Sequence, residues 1–130
     1  MRFRKISSIC AVAFLILCSC KQSYVDELST QYATFSVDGK GFIGQVVDSR
    51  TGENYLAKEA TSPILSLYDG EKYIMPTHLK VEGDKWILTF ENQSTAVVSK
   101  EVKDGYLRLS LTSLSNRDQI EAVAWGPYAT

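Results

Sequence analysis

The sequence predicts an all-β fold, an antiparallel β-sandwich, with a partly open β-barrel as the alternative. Three observations predict it. Short runs of branched and aromatic residues recur along the chain. Turn signals such as Asp38-Gly39, Thr51-Gly52, Asp69-Gly70, Glu82-Gly83-Asp84 and Lys103-Asp104-Gly105 separate them at close spacing. No apolar stripe of helical period has useful length beside them, so roughly eight short strands are expected. Two sheets burying facing rows account for the abundance of branched and aromatic side chains.

The chain opens with a segment that does not belong to this pattern. Arg2, Arg4 and Lys5 precede an uncharged apolar run from Ile9 to Leu17, and all three cysteines fall within the first 20 residues. The run is too short to span a bilayer, which takes about 20 apolar residues, but it fits the apolar region of a secretory signal. Leu17-Cys18-Ser19-Cys20 resembles a bacterial lipobox, in which a small residue precedes the cysteine that is lipidated and becomes the first residue of the mature chain. Ser19 before Cys20 meets that requirement, whereas bulky Leu17 before Cys18 does not. Cys18 stands where alanine, serine or threonine is more usual. The resemblance implies cleavage after residue 19, lipidation of Cys20 and a lipid membrane as partner through that residue. With Lys21 next to the cysteine it also implies a place in the cell envelope at the outer membrane, on a side the sequence leaves open.

Removing residues 1–19 takes away three basic side chains and no acidic one. It leaves 111 residues with 11 basic and 15 acidic groups, a formal balance of −4 against −1 for the whole chain. That length holds one hydrophobic core. It excludes a TIM barrel, which needs about 250 residues. An acidic balance points away from nucleic acid. Since processing leaves only the lipidated Cys20, thiol catalysis and thiolate metal sites are not expected.

Residues 20–31 are polar and weakly periodic and read as a lipidated tether, with the sandwich domain over 32–130. Its first strand is expected over 32–37, ended by Asp38-Gly39, and its second over 42–48, where Gly44 marks a bulge or a close backbone approach. A weak strand over 54–57 and a loop over 58–62 precede Pro63. Ile64, Leu65, Leu67 and Tyr68 form the next strand. Pro76 lacks a donor, so the segment 72–81 is an edge strand, a bulged strand or two pieces. Trp86, Leu88 and Phe90 share one face of a strand and read as core. A strand over 95–102 follows, and after the Lys103-Asp104-Gly105 turn Leu107, Leu109 and Leu111 alternate with Arg108, Ser110 and Thr112, predicting one buried and one wet face. A polar connection over 113–119 leads to a closing strand from Ile120 to Trp125.

The chemistry-bearing residues are sparse. His78 is the only histidine, so a metal site would rest on carboxylates, which is uncommon for zinc; it reads as a polar-face strand residue. No GxSxG, phosphate loop, dinucleotide glycine pattern or EF-hand spacing occurs. No pair of carboxylates is singled out for glycosidase chemistry. No catalytic residue, metal or cofactor is therefore assigned.

The aromatics Tyr68, Tyr73, Trp86, Trp125 and Tyr128 could offer flat surfaces for sugar stacking, and Trp125 and Tyr128 are the hardest to assign to a core. They lie in Ile120-Glu121-Ala122-Val123-Ala124-Trp125-Gly126-Pro127-Tyr128-Ala129-Thr130, where glycine and proline end a strand. This segment, with the sandwich pattern and the lipid leader, resembles the amino-terminal β-sandwich region of large exported carbohydrate-active proteins of polysaccharide-degrading bacteria. The resemblance implies a non-catalytic accessory or glycan-binding module, truncated relative to such proteins, with Trp125 and Tyr128 touching a polysaccharide or a following domain. The other reading is a small envelope lipoprotein that binds a protein partner and no sugar.

Overall fold

The computed structural model describes residues 23–129. The leader over 1–19 and the lipidation site Cys20 lie outside the described residues. Among the described residues eleven strands form three antiparallel sheets, none closed into a barrel, in a β-sandwich arrangement. The first sheet takes β1 (Tyr24–Ser29), β2 (Ala33–Asp38), β3 (Phe42–Asp48) and β4 (Ser62–Pro63) in sequence order. The second carries β7 (Pro76–Glu82), β8 (Lys85–Phe90), β9 (Thr95–Val102) and β10 (Leu107–Leu114), with β7 and β10 at its edges. The third is small, with β5 (Leu65–Tyr68) between β6 (Tyr73–Ile74) and β11 (Ala122–Trp125).

The core follows the alternation in β8. Trp86, Leu88 and Phe90 are buried while Ile87 and Thr89 between them are only partly so. Ala96 and Val98 of β9 and Leu79 of β7 extend the same layer. β5 differs, since Leu65, Ser66 and Leu67 are all buried and the strand has no wet face. The buried Ser66 hydroxyl donates to the Gly126 carbonyl at 2.8 Å, so the polar group in this strand is satisfied.

Two local expectations are met in detail. Between Ser36 and Val37 the pairing of β2 skips from Gln45 to Ile43, which leaves Gly44 as the extra residue of a bulge. The Tyr24 ring covers it so closely that a Cβ there would lie 2.6 Å from a ring carbon. Pro76 begins β7 and splits the segment 72–81 into β6 and β7, with a second register shift before His78.

Three expectations are corrected. The segment 20–31 is not a tether throughout, because β1 occupies Tyr24–Ser29, pairs with β2 and buries Leu28. Its acidic residues hide the strand, since Asp26 turns out to face the interior. Residues 54–57 form no strand and make only a single bridge between Asn54 and Val47. The face of Leu107, Leu109 and Leu111 is half-buried rather than buried. These residues sit on an edge strand, and the gap beside them is where the sandwich opens.

Candidate functional site

That gap is a cleft of about 680 Å³ between the two larger sheets. Its floor is made by Phe35 and Val37 of β2, Ile43 and Val46 of β3, and one side of Trp86. Leu107 and Leu109 form the wall on the β10 side. Alternation puts Phe35 with Val37, and Leu107 with Leu109, on one face of their strands, and the Gly44 bulge brings Ile43 and Val46, three positions apart, to the same face of β3. Among the described residues no charged side chain lines the cleft.

The rim is aromatic. Tyr32, Tyr55, Tyr106, Trp125 and Tyr128 all border the opening, each between 42% and 53% exposed. Among the described residues Tyr73 is the only other aromatic side chain as exposed as these. It packs instead on Tyr68, with ring centroids 5.2 Å apart, and neither residue lines the cleft.

Trp125 ends β11, and the other rim residues stand outside the strands, in turns, a loop and the tail. Tyr32 follows the Thr30-Gln31 corner, and the Thr30 hydroxyl accepts from the backbone N–H groups of Tyr32 and Ala33, both at 3.2 Å. Tyr106 follows Gly105 in the turn before β10. Tyr55 is held from below by Asp48, whose buried carboxylate accepts from the Tyr55 hydroxyl, from the Arg50 N–H at 2.7 Å and from the Thr51 N–H at 3.2 Å. These donors, the Tyr55 hydroxyl first, hold the Asp48 carboxyl far below the usual carboxylate range. The same hydrogen bond to Asp48 raises the Tyr55 phenol.

Trp125 and Tyr128 are placed by the tail that follows β11. Gly126 donates to the Ile64 carbonyl at 3.3 Å, and Ala129 donates to the Ser62 hydroxyl at 2.9 Å. The Ala129 carbonyl accepts from the Ala57 N–H at 3.0 Å. The peptide between Gly126 and Pro127 is cis, and Gly126 has a φ of 85°. A Cβ at Gly126 would lie 2.8 Å from the Tyr128 nitrogen, so only glycine fits this bend. The Tyr128 hydroxyl donates to the Ile64 carbonyl at 3.4 Å, and burial raises its phenol.

The structure thus brings Trp125 and Tyr128 together on one cleft and separates them from Tyr68 and Tyr73. Trp86 belongs to the core and shows the cleft only one side. His78 is exposed on β7, opposite Thr89. Among the described residues no group of three histidine, cysteine or acidic side chains is arranged to hold a metal. Sequence reasoning missed Tyr32, Tyr55 and Tyr106. The signal was available, since each lies within three residues of a turn residue, where an aromatic gains little from the core.

No family model matches the chain, and neither a curated protein nor a solved structure matches it.

Proposed function

We propose that the protein is a lipid-anchored, non-catalytic binding module of the cell envelope, and that the aromatic-rimmed cleft takes an extended apolar segment of a protein partner. The carrying observation is the concentration of exposed aromatic side chains around an uncharged, aliphatic floor. Tyrosine and tryptophan are the side chains that protein interfaces favour, because they bury large area at low cost in side-chain freedom. A sugar presents hydroxyls at every edge, and the floor supplies few polar atoms to receive them.

The edge of β10 supports an extended segment. β7, the other edge of this sheet, is guarded by Pro76 and the Lys80–Glu82 ion pair at 2.8 Å. β10 has no proline and a single charge, Arg108, which pairs with Glu101 at 3.3 Å. Its register with β9 is regular from Leu107 to Leu111 and shifts before Ser113. An added strand would satisfy the main chain of that edge and set alternate side chains in the cleft.

The anchor fits this reading. Cys20 stands four residues before Tyr24, a reach of at most about 14 Å for an extended chain. Lipidation there would hold the domain close to the bilayer surface. Among the described residues no helix is long and apolar enough to cross a membrane.

Trp125 and Tyr128 favour the second reading, a glycan stacked across the rim, because both are exposed at the mouth. Cross-linking in intact cells with the wild type, Val46→Glu and Leu109→Glu separates the two. We expect a protein adduct that both charged variants lose, no retention on polysaccharide columns, and loss of membrane recovery with Cys20→Ser. Polysaccharide retention that vanishes with Trp125→Ala or Tyr128→Ala would select the glycan. No adduct and no retention would refute both.

A further inference from the structure

Asp26 and Lys100 form an ion pair whose side chains are only 17% and 9% exposed, and no feature of the binding surface described above requires it. Asp26 lies opposite Val37 in the β1–β2 register, so both side chains face the space between the sheets. One carboxylate oxygen of Asp26 accepts from the Trp86 indole N–H at 2.7 Å and from the Lys100 ammonium. The other oxygen accepts from the Glu27 N–H at 3.0 Å. The Lys100 ammonium also lies 5.4 Å from the centre of the Trp86 ring. The cluster therefore ties β1 of the first sheet to β8 and β9 of the second. A backbone tie follows at the next turn, where Gln31 donates to the Asp104 carbonyl at 2.8 Å.

Both ties border the cleft. Trp86 and Val37 are in its floor, and the two turns joined by Gln31 carry Tyr32 and Tyr106 on its rim. Taking two charges out of water is costly, so the pair is weak evidence for added stability. What the charged cluster adds is position, because two donors converging on one oxygen fix the indole ring and the strand together.

We propose that β1 is a strap across one end of the cleft, and that Asp26 is its latch. Latched, the strap holds Trp86 in the floor and sets the distance between the sheets. Released, the sheets part at this end, the cleft widens and Trp86 becomes accessible. The proposal builds on the reading of the cleft as a binding site, but its test needs no partner. If binding fails while the latch behaves as described, only that reading falls.

The test uses Trp86 itself, made the sole tryptophan by Trp125→Phe. In Asp26→Asn, which leaves Lys100 without its counter-charge, acrylamide quenching of Trp86 should rise about threefold in a protein that still unfolds cooperatively. Fluorescence of an apolar dye, anilinonaphthalene sulfonate, should rise with it. The double variant Asp26→Leu/Lys100→Met leaves neither charge unpaired but still removes the acceptor of the Trp86 indole N–H, and it should show the same gain in quenching. A lower melting temperature with unchanged quenching in folded variants would make the cluster a structural tie and overturn the latch. Failure of both variants to fold would overturn it too, since the pair would then be a requirement of folding.

Discussion

Around β5 the sandwich is closed on both sides, whereas beside β10 it is open on one. Leu65 and Leu67 of β5, with Leu88 and Phe90 of β8, are fully buried, and the one buried hydroxyl among the β5 residues is satisfied by the tail. Leu107 and Leu109 follow an alternation as regular as that of Leu88 and Phe90 yet remain half-buried, because they face the cleft rather than a packed strand. The same two-residue period therefore produces a core in one region and the wall of a cleft in the other. The difference lies in what each strand faces, and it separates residues that hold the fold from residues that line the proposed binding cleft.

The largest expected effect is a gap in stability between the two regions. Phe90→Ala leaves a cavity in the closed region and should cost about 3–5 kcal/mol. Leu109→Ala removes a half-buried side chain from an open wall, where neighbours and water adjust, and should cost about 1 kcal/mol. Denaturant unfolding measures both. Equal costs would mean that the cleft is part of the core, and the contrast would be lost.

A smaller effect sharpens the contrast through pH. The Asp48 carboxyl, which holds the rim residue Tyr55, is depressed in the folded state by hydrogen bonds from Tyr55 and the Arg50 N–H. A depressed carboxyl stabilises the fold above its unfolded value of about 3.9, and that contribution is lost as pH falls below it. The wild type should therefore lose stability more steeply than Asp48→Asn between about pH 5 and pH 2. Parallel acid limbs in thermal melts would show that Asp48 gains nothing from these partners.

Much of the closed region was legible in the sequence. Trp86, Leu88 and Phe90 mark their strand by alternation, Pro76 divides its segment, and Gly44 marks a bulge, because each of these is a local property of the chain. The open region was harder to read. Leu107, Leu109 and Leu111 alternate cleanly, but period two reports which side chains share a face and is silent on whether another strand covers it. β1 was hidden because Asp26 looks like a solvated residue until Lys100, 74 positions away, is placed against it. Trp125 and Tyr128 were singled out from the bend that ends β11, whereas Tyr32, Tyr55 and Tyr106 join them only when separate turns converge.

The claim that the open side is the binding surface is tested most directly by placing a photo-activated cross-linking residue at Leu109 and, separately, at Lys80. These positions lie on opposite edge strands of one sheet, one lining the cleft and the other exposed on the guarded edge. In intact cells the account predicts a discrete protein adduct from position 109, abolished by Val46→Glu, and none from position 80. Equal labelling from both edges, or an adduct that survives Val46→Glu, would contradict it.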